Sequence, residues 1–147
     1  MSDMKILSLY TCGIMDSVSD EPNIMLDWRN KTKDYFSLHD VRVYNPTDRP
    51  HSSVSSLTDK EIFELDMVDV RNSDIILFDA RNHGKPQFGS PVEVFYANYI
   101  LHKPVIGWYD ERGYRENSIF QNVLVSNMFP SLEEALEHIE EFYLGSR

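Results

Sequence analysis

Apolar residues along this chain gather in short runs that alternate with segments of helical period. Residues 5–10 (KILSLY) predict a first strand, and after a polar stretch at 16–23 the pattern predicts a helix over 24–38. Residues 41–44 predict a second strand, broken by Asn45-Pro46-Thr47-Asp48-Arg49-Pro50, and the serine-rich run to Ser56 reads as an exposed loop. Thr58-Asp59-Lys60-Glu61 has the form of a capping box and starts a second helix that runs to about Asn72. A third strand at 75–78, a third helix at 91–102 and a fourth strand at 105–108 follow. The turn-rich segment 109–117 leads to a weaker apolar run at 123–125 and a final acidic helix over 131–143, bounded by Ser131 and Gly145.

Strands that alternate with helices in this way predict an α/β domain with a doubly wound parallel sheet of about five strands. No repeat, low-complexity tract or linker divides the chain, so residues 1–147 read as one domain. Trp28, Tyr35 and Phe36 recur at helical spacing and are expected in its core.

Charge narrows the partners. A net charge of −10 without a basic run disfavours nucleic acid and anionic membrane surfaces, and leaves a small molecule as the expected ligand. The single cysteine, Cys12, excludes an internal disulfide and fits a reducing cytoplasm. Neither a spanning apolar stretch nor a charged-then-apolar leader is present, so a cytoplasmic protein is expected. His39, His51, His83, His102 and His138 lack metal-ligand spacing, and no strand is followed by G-x-G-x-x-G, so neither a metal nor a cofactor is expected. Cys12 reads as a small apolar packing residue.

The stretch 73–108 carries the most chemistry. It joins two apolar strands through a loop and a helix, and ligands of open α/β sheets collect at the carboxyl ends of the strands. The loop holds Asp79, Arg81, Asn82, His83 and Gln87, a polar set suited to reading a heterocyclic base. Gly89-Ser90-Pro91 then opens the helix as cap and first-turn proline, which places Glu93 in the first turn, where the helix dipole favours an ionised carboxylate. Two readings of Glu93 stand at this point: a nucleophile facing the loop, or the distal member of a Ser90-x-x-Glu93 capping box. Asp66 likewise reads either as part of a solvated acidic face, with Asp59, Glu61, Glu64 and Asp69, or as a carboxylate at the edge of the buried face. Asp69 is the alternative if the register shifts. Asp74 reads as a residue that terminates structure before the third strand.

An ordered set of residues carries a family resemblance. Tyr10-Thr11-Cys12-Gly13, Trp28-Arg29, Asn45-Pro46, Asp66 before Ser73-Asp74, Gly89-x-x-x-Glu93, Ala97 and the closing stretch 129–136 (FPSLEEAL) resemble the nucleoside 2-deoxyribosyltransferase family. That family includes the 2'-deoxynucleoside 5'-monophosphate N-glycosidases. The resemblance implies a flavodoxin-like or Rossmann-like fold and attack of Glu93 on the anomeric carbon of a 2'-deoxynucleoside. Asp66 would assist on the sugar and base side, and Tyr10 would hold the nucleophile.

The resemblance also makes Gly13, Asp16, Asp48, Arg49, Asp79, Gln87, Gly89 and Ser90 candidate substrate contacts. It implies a homo-oligomer built from dimers, in which Asn117 and Ser118 complete the neighbour's site. Two departures matter. Gln87 stands where the transferases tend to carry an aspartate and the monophosphate hydrolases a serine, and Asp16 stands where the hydrolases carry an arginine near phosphate. Both lead us to expect free deoxynucleosides and sugar transfer to a second base. Hydrolysis of a deoxynucleoside monophosphate, with Arg49 or Arg81 on the phosphate, and a non-catalytic nucleotide-binding module are the alternatives.

Overall fold

A computed structural model of the chain describes residues 6–13, 23, 25–46, 57–84, 89–116 and 118–145. Strands β1 (Leu7–Cys12), β2 (Val41–Tyr44), β3 (Ile75–Asp79), β4 (Val105–Trp108) and β5 (Asn127–Phe129) form one parallel sheet in the order β2-β1-β3-β4-β5. The helices are α1 (Asp27–Tyr35), α2 (Asp59–Asn72), α3 (Gly89–Phe95), α4 (Ile119–Leu124) and α5 (Leu132–Ile139). A wider π turn, Tyr96–Ile100, continues α3, and another, Glu140–Leu144, continues α5.

The strand order follows from handed crossovers. The chain leaves β1 through α1 to reach β2 on one side, then returns across β1 to β3 and onward to β4 and β5, so α1 falls on one face and α2, α3 and α4 on the other. Side-chain alternation along the strands divides the core accordingly. Leu7, Leu9, Ile75, Leu77, Ile106 and Trp108 pack with Trp28 and Phe36 of the α1 region and with Leu132, Ala135, Leu136 and Ile139 of α5. Tyr10, Cys12, Ile76, Phe78 and Val105 pack on the other face with Val70 of α2, Val94 of α3 and Leu124 of α4. Trp28 and Phe36 are buried as expected, whereas Tyr35 is only partly so and donates from its hydroxyl to Glu140 at 2.7 Å.

Local signals in the sequence explain several boundaries. Thr58 and Glu61 form the reciprocal capping box at the start of α2, each side chain meeting the other's backbone N–H. Asp74 accepts from the Ser8 backbone N–H at 2.9 Å and so ties the entry of β3 to β1. After the π turn, His102 takes a left-handed conformation (φ 55°) and the Lys103 N–H returns to the Ala97 carbonyl at 2.9 Å, which stops the helix.

Three expectations need correction. The first helix is shorter than the pattern predicted, covering Asp27–Tyr35. The weak apolar run at 123–125 is not where the fifth strand lies: Val123 and Leu124 end α4, whose N-terminus Ser118 caps, and β5 follows at Asn127–Phe129. Of the three, Leu124 is buried, Val125 partly so and Val123 exposed, a pattern too short for periodicity to separate helix from strand. Finally, α3 starts at Gly89, so Ser90 lies inside the helix and Glu93 sits beyond its first turn, where the dipole contributes less.

Candidate active site

The carboxyl ends of β1 and β3 form the switch point of the sheet, since the chain departs from β1 to one side and reaches β3 from the other. Tyr10 and Cys12 lie two residues apart on β1 and therefore point to the same face. That face meets α3, where Ser90, Val94 and Ala97 fall at helical spacing and are all buried. Glu93 belongs to the edge of this stripe, so it reaches the sheet.

There the Tyr10 hydroxyl donates to Glu93 Oε1 at 2.8 Å, and the Cys12 thiol lies 3.1 Å from Oε2. The Cys12 sulfur also lies 3.8 Å from the Ser90 carbonyl. The Glu93 carboxylate thus meets two donors on β1, in place of the backbone N–H that a capping box would require. Asp66 is half-buried on α2, one turn before the fully buried Val70, and its charge acts on both Glu93 and Tyr10.

These surroundings set the protonation states. Burial raises the Glu93 pKa from 4.5 to about 7; the hydrogen bonds from Cys12 and Tyr10 and the charge of Arg29 oppose the rise, and the negative charge of Asp66 adds to it. A carboxyl group poised near neutrality can serve as nucleophile or as acid and base. Burial, together with the Glu93 charge, pushes the Tyr10 phenol and the Cys12 thiol well above their usual values, so both remain donors.

On the other face of the sheet, Arg29 is fully buried and braces the exit from β1. Its guanidinium donates to the Thr11 hydroxyl (3.3 Å) and to the carbonyls of Met25 (3.0 Å) and Gly13 (3.2 Å). A Cβ on Gly13 would lie 2.9 Å from both Asp79 Cβ and Trp28 Cζ2, so only glycine fits this close approach. Asp79, at the end of β3, is fully buried and accepts a two-pronged bond from Arg81, with Nε–Oδ1 and Nη2–Oδ2 both at 2.9 Å, while His83 Nε2 lies 3.1 Å from Oδ2. Burial works to raise the Asp79 pKa, but the bonds from His83 and Arg81 outweigh it and hold the carboxyl below its usual range. The Arg81 guanidinium also stacks on Trp108, 4.4 Å from the ring centroid.

Of the residues expected at the site, the structure brings together Tyr10, Asp66 and Glu93, with Gly13, Asp79, Gly89 and Ser90 close along the chain on the same strand ends and helix start. Ser118 caps α4, accepting from the Gln121 N–H at 3.3 Å. It shares a cavity of about 220 Å³ with Arg81, His83, Ser90, Arg115 and Gln121. Asp16, Asp48, Arg49, Gln87 and Asn117 lie outside the described residues. A larger cleft of about 710 Å³ lies on the Trp28 and Trp108 side of the sheet, away from Glu93, and carries charges of both signs. Among the described residues no group of three or more His, Cys, Asp and Glu is arranged to hold a metal ion, and no helix is long and apolar enough to cross a membrane. The contact of Cys12 with Glu93 was missed from sequence, although its position two residues after Tyr10 on one strand was the available signal.

No family model and no curated protein matches the chain by sequence. Solved structures do match. A 2-deoxyribosyltransferase from Leishmania mexicana is 17% identical with a TM-score of 0.70, covering 94% of this chain and 99% of its own. A 2-deoxyribosyltransferase from Bacillus psychrosaccharolyticus is 17% identical with a TM-score of 0.68, covering 88% and 90%. The CMP N-glycosidase BcmB from Clostridium botulinum is 12% identical with a TM-score of 0.55, covering 90% and 98%. Likeness at such identities speaks for the fold, and chemistry must be argued from the site. The chain therefore has the fold on which these 2-deoxyribosyltransferases are built, with Tyr10, Asp66 and Glu93 gathered at its switch point.

Proposed function

We propose that this protein is an enzyme of the nucleoside 2-deoxyribosyltransferase family that breaks the N-glycosidic bond of 2'-deoxynucleosides and transfers the sugar to a second base. The observation that carries this reading is the Glu93 carboxylate at the switch point, held by the Tyr10 hydroxyl at 2.8 Å and poised near neutral pH. The likeness in fold to two 2-deoxyribosyltransferases supports it.

In the proposed reaction an oxygen of ionised Glu93 forms a bond to C1' while the C1'–N bond breaks and its electron pair leaves with the base. The product is a glutamyl-deoxyribose ester. Asp66 assists at the departing base, and Tyr10, its proton retained, fixes the carboxylate for attack. A nitrogen of the acceptor base then attacks C1' and releases Glu93. Absence of a 2'-hydroxyl lowers the barrier by easing positive charge on the sugar ring. The ionised Asp79 carboxylate anchors Arg81, and the strand-end loops supply the base contacts.

Hydrolysis of a 5'-monophosphate is the second reading, supported by the likeness to the CMP N-glycosidase and by the cavity lined by Arg81, Arg115, Ser90 and Ser118. Assembly belongs to the same proposal. Val92, Phe95, Tyr99 and Ile100 on α3 and its π turn are 45%, 46%, 63% and 49% exposed, and Val92 and Phe95 line an apolar groove with Phe63 and Val68 of α2. A second copy covering this face would bury an otherwise wet apolar patch next to Glu93. Product analysis tests the function: deoxynucleosides and their monophosphates are each incubated with and without a second free base. Exchange of bases supports transfer, whereas free sugar phosphate in a base-independent reaction supports hydrolysis. No release of base from any substrate contradicts both.

A further inference from the structure

The proposed glycosyl transfer leaves one buried group at the site without a role. Cys12 is fully buried, on the same face of β1 as Tyr10, with its sulfur 3.1 Å from Glu93 Oε2. Tyr10 takes the other oxygen, Oε1, at 2.8 Å. The two oxygens of one carboxylate are thus served by unequal donors, a phenol that bonds strongly and a thiol that bonds weakly.

We propose that Cys12 is a positioning residue for the nucleophile: its thiol donates to Glu93 Oε2, fixes the plane of the carboxylate against Tyr10, and withdraws little negative charge from the attacking group. This rests on the glycosyl-transfer reading of Glu93. A carboxylate held by one donor rotates about its terminal torsion, which is broad. A second donor on the opposite oxygen removes that freedom, and near-attack geometry is where positioning gains rate. A strong second donor would lower the basicity and hence the nucleophilicity of Glu93, whereas a thiol fixes direction at small cost. The proton stays on sulfur throughout, because burial and the neighbouring carboxylate oppose the thiolate. Cys12 is therefore neither a rival nucleophile nor a readily oxidised thiol.

The charged and titratable groups that act on Glu93 are Tyr10 and Cys12 from β1, Asp66 from α2 and Arg29 from α1. Only Cys12 can be varied from weak donor to strong donor to none at nearly constant volume. The experiment compares wild type, Cys12→Ser and Cys12→Ala by the pH dependence of kcat and KM for base release. It also follows the Glu93 titration by carbon-13 NMR of labelled glutamate carboxyls.

Cys12→Ala should move the Glu93 midpoint and the acidic limb of kcat to higher pH, and lower kcat by roughly tenfold with KM changed by less than about twofold. Cys12→Ser should move both to lower pH and recover much of kcat at neutral pH. Midpoints unmoved in both variants, with only thermal stability altered, would reduce Cys12 to core packing and overturn the proposal. If Cys12→Ala does not fold, the S–H stretching band decides: it should shift toward that of a free thiol in Glu93→Ala, and an unshifted band overturns the hydrogen bond. If wild type cleaves no nucleoside or nucleotide, the glycosyl-transfer reading fails, while the midpoint shift still decides whether Cys12 holds Glu93.

Discussion

The hydroxyl of Tyr10 and the carboxylate of Glu93 stand 83 residues apart in the chain and meet at 2.8 Å, one at the end of the first strand and the other on the helix after the third. Removing the hydroxyl should raise the Glu93 pKa, because that bond opposes the upward effect of burial. Tyr10→Phe should therefore shift the acidic limb of the pH–rate profile to higher pH and lower kcat by roughly 10- to 100-fold, with a smaller change in KM. Steady-state kinetics across pH check this, and a profile identical to wild type would separate Tyr10 from the nucleophile.

Glu93 is also a stability element with a defined sign. Its folded pKa of about 7 lies above the ordinary 4.5, so the folded protein binds more protons than the unfolded chain between these values. Its contribution is fully present below pH 4.5 and is lost as pH rises through 7, by up to about 3 kcal/mol. Glu93→Gln removes this slope and should be more resistant to urea than wild type at pH 8, yet catalytically dead. Urea unfolding at pH 5 and pH 8 measures it, and equal pH dependence in the two proteins would contradict the burial of the charge.

The Asp79–Arg81 pair predicts the opposite behaviour on the other face of the sheet. Arg81→Ala leaves a fully buried carboxylate with His83 beside it and should cost about 3–5 kcal/mol. Asp79→Asn in the Arg81→Ala background should recover part of that loss. Because the folded Asp79 pKa is depressed, stabilisation by the wild-type pair is present at neutral pH and is lost as pH falls through the folded value. Denaturant titrations of the single and double variants give the coupling directly.

Gly13→Ala should destabilise by about 1–3 kcal/mol, since the added methyl would overlap Asp79 and Trp28. The melting temperature is the readout, and an unchanged value would show that the strand exit yields easily.

Much of the fold was legible because its signals are local. The Thr58–Glu61 box, the apolar runs of β1, β3 and β4 and the Ser131 cap each announce themselves within a few residues. The α4–β5 region shows only a weak apolar run in the sequence because a six-residue helix and a three-residue strand are too short for periodicity to separate. Glu93 and Tyr10 were legible through family likeness and were left ambiguous by spacing, since Ser90-x-x-Glu93 also describes a capping box. Cys12 was read as apolar packing because its hydrogen bond depends on an element 81 residues away. The apposition of Asp79 with Gly13 and Trp28 is likewise tertiary, and no local pattern encodes it.

The central claim is that Glu93 bonds covalently to the sugar. A 2'-fluoro-2'-deoxynucleoside slows both steps by destabilising positive charge on the ring, so incubation without an acceptor base should trap the ester. Intact-protein and peptide mass spectrometry should then show one fluorodeoxyribosyl adduct on the peptide that contains Glu93, absent from Glu93→Ala. An adduct on Asp66 or Asp69, or turnover of the analogue with no adduct on Glu93, would contradict the account.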